Sequence, residues 1–185
     1  MISVITAALP PRLGKLAEAC ASVRAQTHPA AEHLVAIDYD RRGSAATRNS
    51  LLRAATGEWV AVLDDDDLLM PRHLETLLTA SQDADVVYSF CAVEGRPGWS
   101  PNRTFDAEAL RQGNYIPVTA LIRRSLLDEL GGWKDSALCP YGFEDWQLWL
   151  DALTAGARFV CVPEVTWVYR LHETSKTFVG ERAAA

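Results

Sequence analysis

The sequence predicts an α/β fold with a mainly parallel central sheet flanked by helices. The first observation behind this is order. From Ile2 onward, short apolar runs alternate with stretches of helical periodicity, giving strand, helix, strand, helix, strand, the succession that builds parallel sheets. The second is where the apolar runs end. Thr6 to Leu9, Asp38 to Asp40 and Asp64 to Asp67 each follow one, and in such sheets ligands lie beyond the carboxyl ends of the strands. Three segments distant in sequence are therefore expected on one edge.

Ile2 to Thr6 reads as a strand, and Leu13 to Gln26 as a helix whose Leu16, Ala19, Cys20 and Val23 recur at helical spacing. His33 to Ile37 is a second apolar run. A helix opening at Gly43-Ser44 reaches Ala55, and Gly57 breaks the chain before the strand Trp59 to Leu63. Leu68 to Ser81 is expected to be helical. Further on, Val86 to Val93 reads as a strand, Pro97 to Arg103 as a polar loop and Asp106 to Gln112 as a short helix. Ile116 to Ile122 reads as a strand, followed by a helix from Arg124 to Leu130 that Gly131-Gly132 stops. Phe143 to Ala155 is helical, Arg158 to Val162 and Val165 to Leu171 are strands, and the tail from Phe178 has little to pack.

A chain of 185 residues, 49% of them hydrophobic, suffices for one core and is short for two domains. The net charge of −6, with basic residues scattered, speaks against nucleic acid and acidic lipid as partners. No basic segment with an apolar signal core precedes Ile2, and no apolar run reaches membrane-spanning length, so a cytoplasmic protein is expected. Cys20, Cys91, Cys139 and Cys161 lack zinc or redox spacing and read as reduced packing residues. Asn102-Arg103-Thr104 fits a glycosylation triplet, a pattern frequent by chance.

The chemistry is concentrated in two motifs. Asp64-Asp65-Asp66-Asp67 closes a buried strand with four acids. One acid suffices to cap a following helix, whereas a group of carboxylates calls for a cation, and Mg²⁺ or Mn²⁺ prefers such oxygens. Strand alternation would put Asp64 and Asp66 on one side, with Asp65 and Asp67 on the other. Glu144-Asp145 opens a helix that carries Trp146, Trp149, Leu150 and Leu153 on an apolar face. Acids in a first turn stabilise the helix end, and the same field keeps a carboxylate ionised for use as a base. Arg48 is either a solvated helical residue or a phosphate contact. His172, after the last strand, is either a surface residue or part of a segment folded over the site. Neither GxxxxGK[ST] nor GxGxxG is present.

In order along the chain, Ile2-Ser3-Val4-Ile5-Thr6, Ser22-Val23-Arg24-Ala25-Gln26-Thr27, Arg48-Asn49, Ala55-Thr56-Gly57-Glu58-Trp59 leading to Leu63-Asp64-Asp65-Asp66-Asp67, and Gly142-Phe143-Glu144-Asp145-Trp146-Gln147-Leu148-Trp149 resemble a family 2 glycosyltransferase with the GT-A fold. The likeness runs from Ile2 to about Thr177. It implies a single Rossmann-like domain over 1–177, with a nucleotide-sugar half to about residue 95, an acceptor half after it, and a disordered tail at 178–185.

By that resemblance Thr6, Ala7, Leu9 and Arg48 line the nucleotide-sugar site, Asp38 contacts the base, and Asp64 and Asp65 approach the ribose. Asp66 ligates Mn²⁺ or Mg²⁺, joined by His172, and Asp145 is the catalytic base with Glu144 in support. The implied activity is inverting, metal-dependent transfer from a nucleotide-diphosphate sugar, UDP-sugar favoured, to a hydroxyl acceptor that the sequence does not name.

The chain departs from the family where Ala7-Ala8-Leu9-Pro10 replaces the usual Pro and Tyr-Asn, removing an aromatic shelf for the base. Tyr39 follows Asp38 in place of a second acid, and Asp151 stands where many relatives have Arg. The sequence also stops before the additional C-terminal helices or membrane segments of larger members, so the acceptor site is expected to be open or completed by another subunit of a homo-oligomer.

Three rival readings fit the residues less well. An aspartate phosphatase would want its acidic strand near the domain start and a later catalytic Lys. A sugar nucleotidyltransferase would need a Gly-rich basic first loop, which Ala7 to Arg12 does not supply. A nucleotide-sugar-binding module without turnover is opposed by the intact Asp66 and Asp145.

Overall fold

The computed structural model describes residues 1–96, 98–139 and 143–171. His172, and with it the segment to Ala185 that includes the expected disordered tail, lies outside the described residues. The strands are β1 (Ile2–Ala8), β2 (Glu32–Ile37), β3 (Trp59–Val62), β4 (Leu68–Leu69), β5 (Val86–Glu94), β6 (Ala120–Arg123) and β7 (Phe159–Arg170). The helices are α1 (Leu13–Arg24), α2 (Ser44–Ala54), α3 (His73–Thr79), α4 (Ala107–Gln112), α5 (Arg124–Leu130) and α6 (Glu144–Thr154), with 3₁₀ turns at Pro10–Arg12 and Ser136–Leu138.

The strands form one sheet in the order β2-β1-β3-β6-β5-β7-β4. β1, β2, β3, β5 and β7 run one way, and β6 and β4 run against them. Both faces are covered. Along β3, Trp59 and Ala61, with Leu63 just beyond, pack toward α1 and α3 against Val23, Leu74 and Leu77. Val60 and Val62 point to the other face, against Leu51 and Leu52 of α2 and Trp149 of α6. The strand is thus an unbroken apolar run, as burial on two faces requires.

Four expected elements differ from the structure. Leu68 to Ser81 is not one helix, because Leu68 and Leu69 pair with Val168 and Trp167 of β7 and α3 begins only at His73. Pro71 explains the break, since it disfavours a helical Met70 and offers no N–H. The Pro71 carbonyl instead accepts from Thr27 N at 2.8 Å. The strand expected over Ile116 to Ile122 is confined to Ala120–Arg123, after Pro117. Conversely, the two strands expected after Arg158 are one, β7, whose register against β5 shifts between Ser89 and Cys91. That shift leaves Pro163 and Glu164 without ladder partners on β5, the position in a strand where proline is tolerated.

Asn49 of α2 clamps the chain after α5, donating to the Trp133 carbonyl at 2.7 Å and accepting from Trp133 N at 2.9 Å. Gly132 permits this approach: its φ is +78°, and a Cβ there would meet Asn49 Oδ1 at 2.3 Å. The four cysteines are free. Among the described residues no helix is long and apolar enough to cross a membrane.

Candidate active site

The carboxyl ends of β1, β2 and β3 open on a cavity of about 370 Å³, walled on its far side by α2 and the first turn of α6. Ala7, Leu9, Asp38, Arg48, Asp64, Asp65, Asp66, Glu144 and Asp145 all line it. Thr6 stops one residue short: its hydroxyl meets His33 Nε2 at 3.0 Å, across the β1–β2 pairing. Residues from five separate segments are thus brought to one edge of the sheet.

After Val62 the strand geometry ends and the acids turn, with Asp67 N donating to the Asp64 carbonyl at 3.3 Å. Alternation therefore does not govern them. Carboxylate oxygens of Asp64, Asp66 and Asp67 lie within 4.8 Å of one another, while Asp65 faces β1, accepting from Leu9 N at 2.8 Å. Asp67 does not cap the next helix; it accepts from Arg170 N at 2.9 Å, which joins the turn to the end of β7. Three hard oxygen donors this close suit an ion such as Mg²⁺ or Mn²⁺, whose ligands stand about 3–4 Å apart at bond lengths of about 2.1 Å.

Two arginines balance the acids. Arg48 places Nη2 2.6 Å from Asp64 Oδ1 and Nη1 3.2 Å from Glu144 Oε1, so it is a buried partner of carboxylates rather than a solvated helical residue. Arg12, in the 3₁₀ turn after β1, sets Nη1 2.7 Å from Asp66 Oδ2 and 3.1 Å from Asp65 Oδ1. Burial works against both charges, yet the adjacent carboxylates hold both guanidinium pKa values above the ordinary one. Burial also raises the Asp67 carboxyl well above the usual aspartate range, with Asp64 adding to the effect. Asp65 is raised by burial too, against the opposing hydrogen bonds from Leu9 and Arg12.

Asp38 is buried at the end of β2, where Oδ1 accepts from Arg42 N at 2.9 Å and Oδ2 from Gly43 N at 2.8 Å. It therefore folds the loop that starts α2. At the first turn of α6, Glu144 accepts from the Ser44 hydroxyl and from Arg48. Asp145 accepts from Trp146 N and from Asn114 Nδ2, both at 2.9 Å. Burial and then Glu144 raise the Asp145 carboxyl above its ordinary value, while Arg48 pulls it back. Asp145 and Asp64 also line a second cavity of about 150 Å³, bounded by Asn114, Tyr115, Trp167 and Tyr169.

Sequence reasoning missed Arg12, Ser44 and Asn114 as members of this site. Arg12 stands close behind the first strand in Leu9-Pro10-Pro11-Arg12, a position that could have raised it. Asn114 lies between short elements with no periodicity to mark it.

A family model described as Glycosyltransferase like family 2 matches residues 14–184. Two curated relatives are the uncharacterized glycosyltransferase YwdF of Bacillus subtilis, 28% identical over 60% of this chain and 44% of its own, and the succinoglycan biosynthesis protein ExoO of Rhizobium meliloti, 27% identical over 77% and 46%. The chain spans less than half the length of either. Among solved structures, S. aureus TarS (residues 1–349) in complex with UDP-GlcNAc superposes with a TM-score of 0.73 at 18% identity, covering 94% of this chain and 59% of that one. The mannosyltransferase PcManGT of Pyrobaculum calidifontis, in complex with GDP-Man and Mn²⁺, gives 0.66 at 19% identity, over 98% and 59%. The shared architecture is GT-A.

Proposed function

The chain belongs to the glycosyltransferase like family 2, and from that premise we propose that it moves a sugar from a nucleoside-diphosphate sugar to an acceptor hydroxyl, with inversion and with a divalent cation bound. One observation carries this reading: a single cavity is lined by Asp38, Asp64 to Asp66, Arg48 and Asp145. TarS and PcManGT, which share the fold, bind UDP-GlcNAc and GDP-Man respectively, and UDP-sugars are the donors we favour.

In this reading Asp38 and the exit of β1, from Ala7 to Leu9 with Thr6 supporting it from behind, seat the nucleoside, and Asp64 and Asp65 face its ribose. Asp66, with Asp64 and Asp67 in reach, would hold Mn²⁺ or Mg²⁺, which when bound offsets charge on the leaving diphosphate. Arg48 orients Asp64 and Glu144. The acceptor enters through the smaller cavity, which shares Asp145 with the larger one. Asp145 takes the hydroxyl proton as that oxygen bonds to the anomeric carbon; the bond to the diphosphate oxygen breaks and its electron pair leaves with the nucleotide. Both Asp145 oxygens are oriented by hydrogen bonds, as a positioned base requires.

A thermal-shift panel of UDP, GDP, CDP and dTDP, each with and without Mn²⁺, tests the donor side. A matching nucleotide at a hundred times its Kd should stabilise by about 2.7 kcal/mol. Stabilisation by none of them, together with no nucleotide release from any sugar donor, would overturn the proposal.

A further inference from the structure

The geometry around Arg12 points to a role that the reaction does not require by itself. Its guanidinium Nη1 reaches both Asp65 and Asp66, closer to Asp66, at 3.1 and 2.7 Å. The side chain is only 23% exposed, and the two carboxylates it serves are 3% and 12% exposed. Asp66 is one of the three acids whose oxygens gather closely enough for a cation. Among the other acids of the turn, Asp64 has Arg48 and Asp67 has the Arg170 amide. Each acid of the turn thus has a partner within the protein, and at Asp66 one such partner is an arginine.

We propose that Arg12 is an exchangeable internal cation that holds Asp66 until a divalent ion arrives with its diphosphate, and thereby makes metal and nucleotide binding interdependent. This rests on the metal-dependent reading above. A guanidinium and a divalent ion on one carboxylate repel each other at close range in a poorly solvated site, so the ion must displace Arg12 from Asp66. Asp65 keeps hold of it, being bonded to Arg12 and fixed by Leu9 N at 2.8 Å. Arg12 also lines the main cavity, so once released from Asp66 it faces the space a diphosphate would fill. Displacement is unfavourable with the ion alone, because the arginine loses a charged partner and gains none. It becomes favourable when a diphosphate supplies the replacement anion.

The test is calorimetric titration of Mn²⁺ into the whole chain, with and without UDP, for the parent, Arg12→Gln and Arg12→Lys. UDP should tighten Mn²⁺ binding in the parent. Arg12→Gln should bind Mn²⁺ without UDP about tenfold tighter than the parent, the scale of one charge-assisted hydrogen bond that no longer has to be exchanged, and the enhancement by UDP should shrink. Thermal unfolding without metal checks that the variant is folded. If Arg12→Gln does not fold, Arg12→Lys, whose ammonium stops about one bond short of the guanidinium nitrogens, should still show a smaller tightening of the same sign. Mn²⁺ affinity without UDP that is unchanged or weaker in the folded variants overturns the exchange. Absence of Mn²⁺ binding by parent and variants, with or without UDP, overturns the metal reading itself and this proposal with it.

Discussion

Arg48 and Glu144, 96 positions apart in the chain, meet inside the protein with 3.2 Å between Nη1 and Oε1 and 6% of each side chain exposed. The contact ties α2, in the first half of the chain, to the turn of α6 that carries Asp145. A buried pair is not a large net source of stability, but removing one partner strands the other's charge.

Arg48→Met should therefore destabilise by about 3–5 kcal/mol, leaving both Glu144 and Asp64 without their cation. Urea unfolding measures it. A loss below about 1 kcal/mol would mean that the arginine behaves as an exposed ion pair.

Asp145→Asn keeps the shape of the side chain and removes the proton acceptor. Transfer, or slow donor hydrolysis where no acceptor is known, should fall by roughly a hundred- to ten-thousandfold with donor affinity nearly unchanged. A larger loss in Glu144→Gln would move the base one residue earlier. The pH profile supplies a second reading. The base must be ionised and its pKa is raised by burial, so activity should fall away on the acid side at a higher pH than for an ordinary aspartate. The hydrogen bond from Asn114 opposes that rise, so Asn114→Ala should shift the acid limb of kcat/KM further upward. A limb that stays in place would reduce Asn114 to a structural contact.

Asp66→Asn should weaken nucleotide binding only where metal is present, as calorimetry with Mn²⁺ and with EDTA would show. Asp38→Ala should weaken it even at saturating metal. Because Asp38 also secures Arg42 N and Gly43 N, that variant should lose about 2–3 kcal/mol of stability as well. Unaltered binding in Asp66→Asn would leave the four-acid turn a structural feature.

His73 gives a pH dependence remote from the site. It is buried at the start of α3, with Nδ1 2.7 Å from Thr166 Oγ1, and burial lowers its pKa from 6.5 to about 3. The unfolded chain takes up a proton below pH 6.5 that the folded chain refuses until about 3, so stability should fall as pH drops through that interval, by up to about 1.4 kcal/mol per unit. Unfolding free energies of the parent and His73→Asn, compared at pH 7 and pH 5, should differ in slope by this one proton. Equal slopes would mean that His73 is protonated in the fold.

The apolar run Trp59 to Leu63 by itself determined a strand buried on both faces, since nothing polar interrupts it, and its neighbours in the first half follow from the same local pattern. Start and stop signals marked the helix of Ser44 and local periodicity that of Trp146, and with them the placement of Arg48 within a helix and of Glu144 and Asp145 at a helix start. The chemistry of the acids was legible because carboxylate type and strand-end position are both local properties. Which acid faces which partner was not. Alternation fails once the chain turns after Val62, so Asp67 joins Asp64 and Asp66, and Asp65 turns to Leu9 and Arg12. Leu68-Leu69 became a strand because β7, about a hundred residues later, offers it backbone partners and Pro71 denies it a helix. The pairings of Arg12 with Asp66 and of Asn114 with Asp145 were likewise decided only by the tertiary structure: each depends on the distance between separate elements, and no local periodicity encodes that distance.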